Sequence, residues 1–145
     1  MSRAWLGVVS RSHVIRGVAG GFAQVCHGKA GPLRQIRKND IFIYYSPTVE
    51  MNGPSLRAFT AIGTVQDEDI FEYDMGNGFV PFRRRVRYAA ANEVPLEALR
   101  HHLDLCAAPN WGMALRRGLI PLTTNDMHRI AQEMQADMSE MRNEW

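Results

Sequence analysis

Ile41-Phe42-Ile43-Tyr44-Tyr45-Ser46-Pro47 is the stretch of sequence that decides the fold. Successive side chains of a strand point to opposite faces of its sheet, and here both faces are largely apolar. A strand of this kind is covered by protein on both sides. We therefore expect residues 41–46 to form a central strand of a sheet or barrel.

The segment from Gly20 to Asp40 leads directly into this strand. It combines glycines and prolines with polar and aromatic side chains, among them Phe22, Gln24 and Lys29. Loops that are held by a rigid scaffold commonly carry binding residues. This segment is therefore the first place to look for function.

Three further stretches have strand character: Ala4–Val9, Arg57–Val65 and Leu119–Leu122. Gly63 lies inside the second of them, and a glycine within a strand often marks a bulge or a close approach of another backbone. Residues 22–29 lack a clean period, which indicates an ordered loop that can also pair as an edge strand.

Pro81–Ala90 is predicted to be a strand with two unlike faces, because alternate residues point in opposite directions. Its basic face carries Arg83, Arg85 and Arg87, which form either a solvated stripe or a phosphate-binding surface. Arg84 falls on the apolar face instead, where an arginine must find a carboxylate, phosphate or carbonyl to offset its desolvation.

The pattern of apolar residues predicts four helices. The first is a short helix from near His13 to Gly20, and the second begins at Glu93-Val94-Pro95 with Leu96, Leu99, Leu103 and Cys106 on one face. The third covers Trp111–Arg117 and ends at Gly118, and the fourth covers Thr124–Met141 with its methionines in the core.

Length and composition predict one domain over residues 1–145. An apolar fraction of 46% and a charged fraction of 22% are ordinary for a globular protein, and the net charge of +2 favours an acidic partner only weakly. Cys26 and Cys106 stand far apart in a chain without an apolar leader, so we expect reduced thiols and a cytoplasmic location. No apolar run is long enough to span a membrane.

Several kinds of chemistry have no support in the sequence. Neither a dinucleotide-binding glycine motif nor a phosphate loop is present. Cys26 and His27 are adjacent, which does not indicate a catalytic pair, because such pairs are assembled from separate segments. The cysteines and histidines also lack the spacing of a zinc site. We therefore expect no catalytic residue, no metal and no cofactor.

What remains is a mixed fold with a basic strand and several aromatic residues in loops, a composition typical of sites that stack a base and neutralise phosphates. The connection at residues 66–80 is long, acidic and aromatic, and long connections are often functional. From these residues alone, the aromatic side chains fit a hydrophobic core equally well.

Several short motifs, spread in order along nearly the whole chain, resemble one known family. They are Trp5 to Ser10, His13-Val14, Gly21 to Lys29, Pro32-Leu33, Asp40, Tyr44 to Pro47, Phe59 to Gly63, Pro81 to Arg84 and Trp111-Gly112. Together these motifs resemble the EVE domain family of small bacterial proteins.

The resemblance implies an α+β, PUA-like fold, in which a curved mixed sheet of about five or six strands closes into a partial barrel flanked by helices. EVE domains are similar to YTH domains, which hold a methylated RNA base in an aromatic cage. The implied activity is therefore non-catalytic binding of modified bases in DNA or RNA.

Carried over to this chain, the resemblance implies a base pocket and a phosphate-binding surface. Phe22 takes the place of a cage residue, although the YTH pattern has tryptophan there. The remaining candidates for the base pocket are Phe71, Tyr73 and Phe79 as walls, Ser10 and Gln24 as readers of the base edge, and Tyr45 and Ser46 in the floor. The candidates for phosphate binding are Lys29, Arg34, Arg83, Arg84 and Arg85.

Two alternatives stay open. One is a small-molecule or protein-interaction module that uses the same cleft without nucleic acid, and the other is an enzyme acting on nucleic acid or nucleotides. The sequence does not distinguish DNA from RNA, and it does not identify the base modification or the oligomeric state.

Overall fold

The computed structural model describes residues 3–139. Eight strands run in the order β1 (Ala4–Val8), β2 (Phe22–Ala23), β3 (Ile41–Thr48), β4 (Ser55–Val65), β5 (Phe71–Glu72), β6 (Phe82–Tyr88), β7 (Val94–Pro95) and β8 (Leu119–Leu122). The helices are α1 (Arg11–Gly20), α2 (Ala30–Leu33), α3 (Trp111–Ala114) and α4 (Thr124–Glu133). None of these helices is both long and apolar enough to cross a membrane.

Strand β3 lies inside an eight-stranded mixed sheet, six strands of which follow one path, and its interior position is as its sequence predicts. The order is β2-β6-β4-β3-β1-β8, with β5 added to β6 and β7 added to β4. Strand β1 runs parallel to β3, and β4 runs antiparallel to it. The sheet curls into a half-barrel, which agrees with the predicted architecture.

Both faces of β3 are buried, and each contributes to a separate part of the core. Ile41 and Ile43 pack in a cluster that includes residues of α4, whereas Phe42 and Tyr44 pack with Trp5 and the residues of the opposite side. All four of these β3 side chains are inaccessible to solvent. The prediction of a central strand, which was based on its two apolar faces, is therefore confirmed.

Gly63 marks a close approach of two backbones. A Cβ atom added there would lie 2.5 Å from the carbonyl oxygen of Arg87 and 2.9 Å from the Cα atom of Tyr88 on the neighbouring β6. No side chain fits in that space. The sequence-based interpretation of this glycine is confirmed.

The predicted helix after Glu93 is wrong. Strand β7 is followed by three separate 3₁₀ turns at residues 96–98, 100–102 and 104–106. The buried carboxylate of Asp126 accepts the backbone N–H groups of Asp104 (2.6 Å) and Leu105 (2.8 Å). These tertiary bonds satisfy the backbone in place of a continuous helical ladder, while the spaced leucines still reach the core.

Helix α4 is shorter than its methionine pattern suggests. It begins after Thr123, whose hydroxyl accepts the N–H of Asp126, and it ends at Glu133. Gln135 then adopts a left-handed conformation with φ of 53°, which turns the chain away from the helix axis. Met138 packs against the core beyond the helix, and Met141 lies outside the described residues.

Candidate functional site

A cleft of about 1190 Å³ opens where four segments of the chain meet. These segments are the junction of β1 and α1, the loop after β2, the hairpin that joins β3 to β4, and the α3 region. Phe79 and Met75, from the long connection between β5 and β6, complete the lining. The residues that form this cleft are thus far apart in sequence and are brought together only by the fold.

The loop after β2 is pinned in an unusual conformation. Cys26, His27 and Gly28 are consecutive residues with φ of 52°, 59° and 81°. A Cβ atom on Gly28 would lie 2.4 Å from the Cβ of Pro81 and 3.5 Å from the ring of Phe79. The loop therefore presses against the long connection, and this contact sets Phe79 in the cleft wall.

A tight contact between Gly118 and Cys26 draws the α3 region onto the same loop. Gly118 has φ of 81°, and a Cβ atom there would stand 2.7 Å from Sγ of Cys26. The thiol of Cys26 also donates to the carbonyl of Arg117 at 3.4 Å. These contacts bring Trp111 into the wall of the cleft.

Among residues 3–139, three Phe, Tyr or Trp side chains line the cleft, and each comes from a different part of the fold. Tyr45 lies in β3, Phe79 in the long connection and Trp111 in α3. Phe79 is 43% exposed, so its ring is accessible to a ligand. Burial raises the pKa of the Tyr45 hydroxyl, which also hydrogen-bonds Arg57. The tyrosine is therefore neutral and offers a hydroxyl group at neutral pH.

Arg57 lines the cleft, and it lies at a bulge in the β3–β4 hairpin. Thr48 pairs with Ser55 but Ser46 pairs with Ala58, so β4 has an extra residue at this point. Arg57 itself has φ of 57°. Bulges of this kind redirect side chains beside functional sites.

The electrostatic character of the cleft is strongly positive. Five exposed cationic residues line it, and no Asp or Glu among residues 3–139 does so. None of the five forms an ion pair with a carboxylate of the described part of the chain, whereas Arg11, Arg37, Arg85 and Arg100 all do. The five are Arg16, Lys29, Arg57, Arg116 and Arg117.

Polar groups between these cations include His13, Ser10 and Gln24. Burial lowers the pKa of His13, and the nearby charges of Arg16 and Arg83 lower it further. The buried Nε2 atom of His13 has no hydrogen-bond partner among residues 3–139. The imidazole is therefore neutral near pH 7, with one nitrogen unsatisfied beside the cleft.

Comparison with known proteins places the chain in a family. Residues 3–133 match the EVE domain. The chain belongs to the EVE domain family. The UPF0310 protein msl3206 of Mesorhizobium japonicum is 48% identical over 142 residues, which cover 94% of each chain. The UPF0310 protein YdcG of Bacillus subtilis is 39% identical over 139 residues, 94% of this chain and 95% of its own.

Solved structures support the fold of this EVE domain. Rpa0253 from Rhodopseudomonas palustris aligns with a TM-score of 0.54 and 17% identity, over 92% of this chain and 93% of its own. A hypothetical protein from Leishmania major aligns with a TM-score of 0.57 and 11% identity, over 93% and 96%. At these identities the likeness concerns the fold alone, and it agrees with the PUA-like architecture.

Five of the predicted site residues of this EVE domain do line the cleft: Ser10, Gln24, Lys29, Tyr45 and Phe79. The hydroxyl of Ser10 lies 3.2 Å from that of Ser12. The structure therefore brings together one predicted wall residue, one predicted floor residue, two predicted polar readers and one predicted phosphate contact.

Phe22, Tyr73 and Arg83 lie outside the cleft lining, which corrects the predicted cage. The guanidinium carbon of Arg83 lies over the rings of Phe22 and Tyr73, 3.7 Å and 4.1 Å from their centroids. Its Nε donates to Oε1 of Gln24 at 2.9 Å, and the residue is only 6% exposed. Two aromatic faces and an amide oxygen stabilise this buried cation, so an arginine fills the slot predicted for a base.

Arg84 and Arg85 are also committed to protein partners. Arg84 is 2% exposed and donates to the carbonyl oxygens of Leu33, Ile36 and Asp67. The sequence required a carboxylate, phosphate or carbonyl for Arg84, and three carbonyls fill that role, with Oε1 of Glu68 3.9 Å from Nη2. With these protein partners and almost no exposure, Arg84 does not present its charge to a phosphate, which corrects that prediction. Arg85 pairs with Asp67 at 3.2 Å and covers the ring of Phe71 at 4.6 Å.

The other predicted residues also lie outside the cleft lining. Ser46 is fully buried, and its hydroxyl lies 2.8 Å from that of Thr60. Arg34 is exposed at the end of α2, and Phe71 lies beneath Arg85. Their positions in the sequence predicted that these three residues would belong to the binding site. The fold places them away from the cleft, which corrects that prediction.

Sequence reasoning missed most of the charged residues of the cleft. They come from α1, the bulged hairpin and the segment before Gly118, and no local pattern distinguishes them from solvated surface residues. Trp111 and His13 belong to the motifs that carried the family resemblance, and this was the only signal for them. Among residues 3–139 no cluster of histidines, cysteines or carboxylates is arranged to hold a metal ion.

Proposed function

We propose that this EVE domain is a non-catalytic nucleic-acid-binding module that captures one modified base in the cleft. The observation that carries the proposal is a set of five cationic residues, without an acidic partner among residues 3–139, around an opening that also presents aromatic side chains. Cations neutralise the phosphate backbone, and aromatic rings stack bases. A polyanion with exposed bases satisfies both requirements at once.

Within the cleft, the aromatic and polar groups have separate roles. Phe79 and Trp111 offer planes for stacking, which contributes about 1–3 kcal/mol for each stacked base. Three residues supply hydrogen-bonding groups for the edge of the base: the hydroxyl of Ser10, the amide NH2 group of Gln24 and Nε2 of His13. Contacts to phosphates fix the position of the strand, whereas contacts to the base edge determine selectivity.

The proposal is tested by titrating the protein with short single- and double-stranded oligonucleotides, methylated and plain, at two salt concentrations. We expect tighter binding to a methylated oligonucleotide and affinity that falls as salt rises. The double variant Arg116→Ala/Arg117→Ala loses two cations of the cleft, so its plot of log affinity against log salt should be shallower by about two units.

The matched control for this pair is Arg85→Ala. Arg85 is an exposed arginine outside the cleft and is already paired with Asp67, so its removal should leave the salt slope unchanged. Equal affinity for every oligonucleotide, without a salt dependence, would rule out the proposed function. If Arg85→Ala reduced the salt slope more than the double variant does, the nucleic acid would bind at the surface that carries Arg85 and not at the cleft.

A further inference from the structure

Met51 is the most exposed large apolar side chain among residues 3–139, at 74%. It lies in the turn between β3 and β4 and forms part of the rim of the cleft. A water-exposed apolar side chain at the edge of a binding cleft commonly indicates contact with a ligand or partner.

The turn that carries Met51 is fixed by backbone hydrogen bonds. Val49 N–H donates to the carbonyl of Pro54 at 3.0 Å, and Gly53 N–H donates to that of Glu50 at 2.8 Å. Ser12 N–H, at the start of α1, donates to the carbonyl of Val49 at 2.9 Å. The tip therefore holds Met51 in a constant position relative to the cleft.

Charge around Met51 indicates which kind of partner it meets. Arg57, six residues further along the same hairpin, and Arg16 in α1 line the cleft beside it and lack an acidic partner in the described part of the chain. An apolar side chain that shares the cleft lining with cations lacking an acidic partner among residues 3–139 suits a partner that has anionic edges and an apolar interior. A nucleic-acid duplex has this combination, because phosphates flank its stacked bases.

On the basis of the proposed function, we propose that Met51 is a wedge that enters the base stack of a duplex when the target base turns into the cleft. Rotating a base out of a duplex costs a few kcal/mol and leaves a gap in the stack. Apolar side chains, methionine among them, fill such gaps in proteins that unstack DNA. The substrate class is accordingly a double-stranded nucleic acid with one modified base.

Met51 suits this role better than the other exposed apolar residues of the cleft. Phe79 is 43% exposed and packs close to Gly28, and Met75 is 41% exposed, so both belong more to the cleft wall than to a projection from it. Methionine is unbranched and flexible, which allows it to fit an irregular gap.

The test compares Met51→Ala with the wild-type protein on three probes: a duplex with one methylated base, the methylated strand alone, and the free methylated nucleoside. We expect Met51→Ala to weaken duplex binding by about tenfold or more, because the gap is left unfilled. Binding of the single strand and of the nucleoside should change by less than about twofold, since neither has a stack to fill.

Two further measurements isolate the wedge. A 2-aminopurine placed beside the methylated base in the duplex should brighten on binding of the wild-type protein and of Met51→Leu. It should brighten less with Met51→Ala, because without the wedge the target base returns to the stack for more of the time. Ile15→Ala is the matched control, because Ile15 is 54% exposed on a face of α1 outside the cleft. It should bind every probe as the wild type does.

Each outcome separates the wedge from the proposed function. An equal loss of affinity for duplex and single strand in Met51→Ala would show an ordinary contact and overturn the wedge, as would no loss for any probe. In both cases the preference of the wild type for methylated probes would still support the base-binding function. A wild-type protein that binds all the probes without preference would overturn both.

Discussion

At the scale of single residues, Arg83 shows how a buried charge is accommodated without a carboxylate. Its guanidinium lies over the rings of Phe22 and Tyr73, and the side-chain oxygen of Gln24 accepts from its Nε. Burial lowers the pKa of Arg83, which reflects the cost of desolvating the charge. The arginine thereby links β2, β6 and the long connection, and it holds Gln24 beside the cleft.

We expect Arg83→Ala to lower the free energy of unfolding by about 1–3 kcal/mol, because it removes the cation–π contacts and leaves the Gln24 oxygen without its donor. Denaturation in urea measures this change. Arg85→Ala, which removes only an exposed ion pair, should cost less than about 1 kcal/mol. A stable Arg83→Ala protein with a flattened salt dependence of binding would instead assign Arg83 to phosphate contact.

At the scale of elements, the loop at residues 25–29 is the part of the fold on which the cleft depends. Its left-handed residues turn the chain back against Pro81, and its contacts with Gly118 bring in the α3 region. The loop therefore joins two walls that are otherwise far apart in sequence.

We expect Gly28→Ala to destabilise the protein by about 1–3 kcal/mol, since alanine is strained at positive φ and its Cβ would overlap Pro81. Base binding should weaken as well, because Phe79 lies next to the displaced loop. Thermal unfolding and oligonucleotide titration report the two effects.

Gly31→Ala is the matched control, because a Cβ atom there meets nothing within 4 Å. We expect its stability to stay within about 0.5 kcal/mol of the wild type. If the two alanine variants behaved alike, the tight contact at Gly28 would not be what positions the loop.

At the scale of the whole molecule, the features predicted correctly are those that depend on local pattern. The two apolar faces of residues 41–46 predicted a central strand, and Gly63 predicted a close backbone approach. The helix expected after Glu93 failed because tertiary bonds to Asp126 override the spacing of the leucines.

The site was harder to predict, because it depends on which segments the fold brings together. Arg83 and Arg85 looked like a phosphate stripe in the sequence, yet Arg83 packs against aromatic rings and Arg85 pairs with a carboxylate of the protein. Arg116 and Arg117 gave no local signal, and only the packing of Gly118 against Cys26 brings them to the cleft. Which cations have partners within the protein depends on the tertiary structure, so local sequence does not predict it.

The measurement that tests the central claim most directly is a map of backbone amide chemical shifts during titration with a methylated oligonucleotide. We expect the largest changes around the cleft, at residues 8–10, 24–29 and 111–118. The exposed arginines of β6 should change little. The largest changes along β6, with the cleft residues unmoved, would contradict the assignment of the binding site.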